Sequence, residues 1–259
     1  MSYKTIYNLK EKAPLMVDFS HWQGNVDVEK LKNAGVQAAI VKAGEVWMRT
    51  QGKPAIEDPK HKQNIENLKA AGLICGDYYF WHPKAGAIQA HHYWEISLET
   101  DLPPIIDVEC FDGYTYEDKL EVSRQLYIMC KTVADLFGRQ PIIYTRNALW
   151  VNQVGNPKWG HDYLFWLAQY NVCMDYPHED IRDNVIMWQF TDRIQLPGLP
   201  TMDGNYWLKS ENMLALLAGK TIKYEPIEIW RIRHGLYPLS KKNREWLDMN
   251  LGGIVGNII

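Results

Sequence analysis

Pro103-Pro104-Ile105-Ile106-Asp107-Val108-Glu109-Cys110 is a short apolar run opened by two prolines and closed by two acids that stand two residues apart. Side chains i and i+2 of a strand share a face. Ile105, Asp107 and Glu109 therefore point one way, and Ile106, Val108 and Cys110 the other. Two carboxylates side by side near apolar surface are costly to ionise together, so at least one holds its proton to higher pH. A proton donor beside an anion that can support positive charge at an anomeric carbon is the combination that glycosidic bond cleavage requires. An acidic strand end facing water is the alternative from this stretch alone.

Outward from this strand, strand-like and helix-like segments alternate. Strands are predicted over 15–20, 37–43, 73–80, 105–110 and 141–145. Between them run helices over 26–33, 60–71, 85–100 and 116–137, and a short one lies near Ala148. Gly35, Gly72 and Gly138 stand where helices stop. Beyond residue 150 the rhythm changes to strands over 163–170, 185–191 and 202–205 without full helices between them. Five βα units followed by three bare strands predict an α/β fold, an irregular TIM-like (β/α)5β3 barrel. A doubly wound open sheet is the runner-up, but no Gly-x-Gly-x-x-Gly or phosphate loop follows the first strand. A helix over 206–217 is expected to close the barrel domain, residues 1–218, of which 1–13 are a lead-in. Residues 219–259 then read as a linker and a short basic C-terminal extension, and 220–259 is the expected contact for an oligomer or larger assembly.

Composition narrows the function classes. The chain has 259 residues, enough for one large domain or two small ones, and α/β barrels often reach this size as one unit. Its 46% hydrophobic and 23% charged residues are ordinary for a globular protein with a full core. A formal charge of −3 and no basic block argue against nucleic-acid binding. No apolar run reaches the roughly 18 residues of a membrane span, so no membrane insertion is expected. The polar, mixed-charge start is not a secretory signal, and synthesis in the cytoplasm is expected. Four widely spaced cysteines make neither a disulfide scaffold nor a zinc site. His91-His92 would point about 100° apart on a helix, so no metal is expected, and no cofactor either. Ser20 beside His21 fails as a nucleophile and base, because neighbours on a strand face opposite ways.

In an α/β barrel, reactive side chains gather at the C-terminal ends of the strands. Asp18 ends the first strand, Asp107 and Glu109 the fourth, and Asp203 lies on the last, so all four acids fall on one edge. Eleven tryptophans and fifteen tyrosines exceed the needs of a core this size, and sugar rings pack on aromatic faces. Tyr78, Phe80, Tyr144, Trp166, Tyr170, Trp188 and Gln23 are the candidate substrate-binding residues. For each aromatic taken singly, core packing is the plainer account.

These residues carry a resemblance. From about residue 16 to 217 the chain resembles the family 25 glycoside hydrolases, the Chalaropsis-type lysozymes common as phage endolysins and muramidases. The likeness rests on Asp18-Phe19-Ser20 with Gln23-Gly24, Asp58 before a helix, Ala71-Gly72-Leu73 with Gly76 and Tyr78-x-Phe80, Asp107-Val108-Glu109, Ile143-Tyr144-Thr145, Trp166-Leu167-Ala168-x-Tyr170, and Trp188-Gln189-Phe190 ahead of Met202-Asp203-x-Asn205. It implies a flattened eight-stranded barrel that hydrolyses the β-1,4 bond between N-acetylmuramic acid and N-acetylglucosamine in peptidoglycan glycan strands. It implies Glu109 as general acid, Asp107 as the group that orients the substrate's 2-acetamido, and Asp18 and Asp203 as the other active-site acids. Action on the bacterial cell wall as a phage or prophage lysin would follow. Two features depart from the family. The 45–54 loop is bulky, and the tail lacks the look of cell-wall-binding repeats. A non-catalytic wall-binding or phage-structural protein on the same barrel is the competing reading, and a chitin hydrolase a third.

Overall fold

The computed structural model describes residues 13–46, 55–109, 119–170 and 179–209. Its strands are β1 (Leu15–Phe19), β2 (Val36–Val46), β3 (Ala55–Glu57), β4 (Ile74–Phe80), β5 (Ile105–Val108), β6 (Ile142–Arg146), β7 (Leu164–Ala168), β8 (Val185–Ile194) and β9 (Met202–Trp207). Its longer helices are α1 (Val28–Asn33), α2 (His61–Ala70), α3 (Gly86–Ile96) and α4 (Lys119–Phe137).

The hydrogen-bonded order is β1-β9-β8-β7-β6-β5-β4-β2, and pairing of β2 back to β1 closes eight strands into a barrel. Seven of these strands follow one direction, while β9 runs antiparallel to both of its neighbours. Closure leaves the barrel without an open edge. Period-2 alternation sorts the strand residues into two layers. Met16, Ala38, Ile40, Ile105, Ile142, Tyr144, Trp166 and Trp207 form one buried cluster inside the ring. Ile106, Val108, Ile143, Phe165 and Leu167 instead join Tyr93, Leu126, Met129 and Val133 of the helices. All four residues of β5 are buried, as a strand covered on both faces must be.

Several boundaries shift for identifiable reasons. α1 starts at Val28 because the Asp27 carboxylate caps it, accepting from Lys30 N. The strand β3 has no counterpart in the sequence pattern. It pairs antiparallel with β2, and Gly44 allows that approach, since a Cβ there would collide with the Ile56 carbonyl and the Ile96 side chain. The helix expected over 206–217 is corrected at its start. Tyr206 and Trp207 extend β9, where Trp207 pairs with Met187 and is wholly buried. The rest of that helix, the linker and the tail lie outside the described residues, as does most of the 45–54 loop. No described helix is long and apolar enough to cross a membrane.

Candidate active site

At the C-terminal ends of the parallel strands the barrel opens into a cleft lined by Asp18, Tyr78, Asp107, Glu109, Tyr144, Trp166, Gln189 and Asp203. The space between its walls, part of it open to solvent, is about 250 Å³. The four candidate acids come from β1, the end of β5, and β9. Asp18 and Asp203 face each other in the β1–β9 register.

The acids differ in their partners. Asp18 Oδ2 accepts from Asn205 Nδ2 at 2.7 Å and from Gln189 Nε2 at 2.9 Å. Asp203 Oδ2 has the longer Gln189 contact, 3.2 Å. Asp107 is buried, and among the described residues its Oδ1 has no hydrogen-bond donor. Glu109 lies at the mouth with 29% of its side chain exposed and one oxygen 3.7 Å from the Arg146 guanidinium.

Burial is the main force on every acid, and each is pushed above the ordinary carboxylate range. Asp107 is raised well above it by burial and then by the Glu109 charge, against the pull of Lys42. Asp18 is likewise raised well above it, by burial and then by Asp203, while the amides of Asn205 and Gln189 draw it part of the way back. Asp203 is pushed up to about 6 by burial, then by Glu109 and Asp192, while a side-chain hydrogen bond with Asp18 draws it back. Glu109 is raised by burial, and Arg146 and Lys42 oppose the shift. Burial also keeps the Tyr78 and Tyr144 phenols protonated, so both remain hydrogen-bond donors.

Of the eleven residues singled out from sequence, Asp18, Tyr78, Asp107, Glu109, Tyr144, Trp166 and Asp203 line the cleft. Tyr170 stands half-exposed at its mouth, with its hydroxyl donating to Gln189 Oε1 at 2.7 Å. Three lie elsewhere. Phe80 packs beneath the Lys42 ammonium, 5.3 Å from its ring centroid. Gln23 ties up its own turn, accepting from Ser20 N at 2.9 Å. Trp188 is the plainest correction. A register shift opposite Phe165–Trp166 brings Met187 level with Trp166, so Gln189 faces the cleft and Trp188 faces outward. There Trp188 packs near Phe190 and Tyr206 and donates to Gln169 O at 2.9 Å. Sequence reasoning missed Gln189 and Asn205 as site residues. The signal was present, because Asn205 stands two residues after Asp203 and Gln189 beside an aromatic pair.

Among the described residues, no group of three or more His, Cys, Asp or Glu has the arrangement to hold a metal ion. The family model for glycosyl hydrolases family 25 matches residues 17–199. The chain belongs to glycosyl hydrolase family 25. Proteins similar to it include lysozyme M1 of Streptomyces globisporus, 34% identical over 101 residues that make up 36% of this chain and 32% of that protein. The autolytic lysozyme of Clostridium acetobutylicum is 24% identical over 214 residues, 81% of this chain and 59% of that one. The chain thus spans from about a third to three-fifths of the length of these relatives. Among solved structures, the bacterial lysozyme from Streptomyces coelicolor superposes with a TM-score of 0.70 at 22% identity, covering 80% of this chain and 97% of the other. That likeness supports the family 25 barrel as the fold.

Proposed function

We propose that this chain is a lysozyme, an N-acetylmuramidase that hydrolyses the β-1,4 bond between N-acetylmuramic acid and N-acetylglucosamine in peptidoglycan. The observation that carries the reading is the convergence of Asp18, Asp107, Glu109 and Asp203 on one aromatic-walled cleft at the strand ends. Membership of family 25, and the lysozyme names of the relatives, support the bond and the substrate. The site of action on this reading is the bacterial cell wall. Release as a phage or prophage lysin fits the same chemistry.

Glu109 is the proton donor. Its raised affinity for the proton and its place at the mouth suit transfer to the departing glycosidic oxygen. As the C1–O bond breaks, positive charge grows on the ring. The carboxylates of Asp18 and Asp107 lie where they offset it, in a water-poor cleft that strengthens the interaction. Asp107 Oδ1, which takes no hydrogen bond among the described residues, is free to accept from the N–H of a substrate acetamido group. Water then adds at C1, and its proton leaves to a carboxylate.

Mass spectrometry of digested peptidoglycan reports activity and bond choice together. Fragments ending in reducing N-acetylmuramic acid are expected. Fragments ending in reducing N-acetylglucosamine, or turnover of chitin oligomers alone, would replace this specificity with another. Binding without turnover would favour a non-catalytic wall protein.

Arg146 supplies a further test of the acid. Arg146→Ala removes a cation that lowers the Glu109 pKa, so Glu109 holds its proton to higher pH. The alkaline limb of kcat is therefore expected to move upward. The Arg146–Glu109 pair is partly exposed, so the shift is expected to be a fraction of a unit and to shrink with added salt. A pH–rate profile at two ionic strengths checks it.

A further inference from the structure

The chain leaves β1 through a single helical turn, His21–Gln23, that is tied down from two sides. Ser20 and Gln23 cap it reciprocally. Trp22 N donates to Ser20 Oγ, and Ser20 N donates to Gln23 Oε1 at 2.9 Å. Asp58, just past β3, binds the turn from outside with a side chain that is wholly buried. Its Oδ2 accepts from His21 N at 3.1 Å and lies 2.6 Å from His21 Nδ1, while its Oδ1 accepts from Lys60 N at 2.9 Å. Asp58 N in turn donates to Ala43 O of β2 at 2.8 Å. This braced turn carries Trp22, which is 81% exposed, and the His21 ring lies against the indole with 4.5 Å between centroids.

A carboxylate at Nδ1 makes that nitrogen the donor, so the neutral imidazole presents Nε2 as an acceptor. Among the described residues nothing hydrogen-bonds to Nε2, and 31% of the His21 side chain reaches solvent. A sugar ring uses such a pair directly, stacking its C–H face on the indole and donating a hydroxyl to the imidazole. Scattered exposed hydrophobic residues are ordinary, and Trp94 and Tyr127 on the outer helices are of that kind. Trp22 differs in its place and its bracing. It follows Asp18 by four residues, so its Cα lies within ~14 Å of the Asp18 Cα even along a fully extended chain. Neither His21 nor Trp22 lines the cleft itself. Both stand on its rim, beyond the strand end where β1 pairs with β2.

We infer that His21 and Trp22 form a further sugar-binding subsite on the rim of the cleft, holding a ring of the glycan strand beyond those that lie among the four acids. The inference rests on the lysozyme reading above and extends its substrate contacts along the strand. Trp22 is the stacking surface and His21 the hydroxyl acceptor. Asp58 is the positioning residue, since it fixes the tautomer and the plane of His21, and His21 backs the indole.

The test uses the full chain carrying Glu109→Gln, so that glycans bind without being cut, alone and combined with Trp22→Ala, Trp22→Tyr or His21→Ala. Calorimetry measures affinity for soluble peptidoglycan glycans of a single disaccharide repeat and of several repeats, with chitin oligomers of matching lengths beside them. Trp22→Ala is expected to weaken the long glycans roughly 10-fold and to leave the single repeat, which fills only the cleft, within about twofold. Trp22→Tyr keeps a stacking ring and should recover most of the loss, and His21→Ala should weaken the long glycans alone, by a smaller factor. With Glu109 restored, Trp22→Ala should raise KM on peptidoglycan and hold kcat, the mark of binding that is equal in ground and transition states. A turn that merely supported the fold would weaken both lengths and lower kcat as well. Equal affinity of Trp22→Ala and its parent for the long glycans would overturn the inference, and so would equal losses at both lengths. Should Trp22→Ala fail to fold, acrylamide quenching of the parent decides: long glycans should shield an exposed tryptophan that the single repeat leaves open, and no shielding overturns the inference too. A wild type that releases no reducing ends from peptidoglycan, yet whose affinity for chitin oligomers shows the same length-dependent loss in Trp22→Ala, would sink the lysozyme reading and leave the subsite standing. Release of reducing ends with no dependence on length would do the reverse.

Discussion

Glu109→Gln is expected to lower kcat on peptidoglycan by about 10²- to 10⁴-fold, the range that a positioned general acid supplies. Glutamine keeps the shape and most of the hydrogen bonding of the side chain but has no proton to give. The substitution gives up one 3.7 Å pairing with a guanidinium that is itself half-exposed, so the fold should not suffer. Removing one of four crowded acids also relieves repulsion on Asp107, Asp18 and Asp203. The melting temperature should therefore hold or rise. An aryl glycoside, whose phenolate departs without protonation, separates acid loss from general damage. The variant should recover much of its rate on that substrate while remaining impaired on peptidoglycan. Wild-type turnover of peptidoglycan by Glu109→Gln would remove Glu109 from the role, and equal loss on both substrates would point to a disturbed cleft.

The barrel is legible because its signals are local and repeated. Every βα unit carries an apolar run, three of the helices end at a glycine, and four of the five strands bring an acid or an aromatic to their end. On β5, period-2 alternation alone places Asp107 inside the ring and Val108 against the helices. Legibility fails where pairing, rather than pattern, decides. Three polar-flanked residues become β3 because a glycine in β2 admits them. Tyr206 and Trp207 become strand because β8 and β1 bond to β9 from both sides. Trp188 escapes sequence reasoning for a similar reason. Trp188 and Gln189 are neighbours, so only one can face the cleft, and a register shift against β7 determines which. That shift has no mark in the composition of either strand. The cleft acids stand out as charges near strand ends. The neutral amides of Gln189 and Asn205 carry no such flag, although they organise two of those acids.

Asp203→Asn is expected to stabilise the protein at neutral pH while impairing catalysis, and the pH dependence of the gain is its signature. The Asp203 carboxyl is raised in the folded state to about 6, against an unfolded value near ~3.9. Between those values the folded chain binds a proton that the unfolded chain releases, so folding loses stability as pH rises through the window. Below it, both states are protonated and the group costs nothing. Above it, the folded state carries a charge disfavoured by burial, by Glu109 and by Asp192. Asparagine never ionises, and its carbonyl oxygen can still accept the Gln189 N–H. After allowance for the exposed part of the side chain, the gain above pH 6 should be about 1–2 kcal/mol. That corresponds to roughly 2–8 °C in Tm for a domain of this size. Melts of wild type and variant should coincide near pH 4 and diverge as pH rises to 7. A constant difference across that range would mean the carboxyl is not held above its ordinary value, and a variant less stable at every pH would mean that its charge supports the barrel instead of straining it.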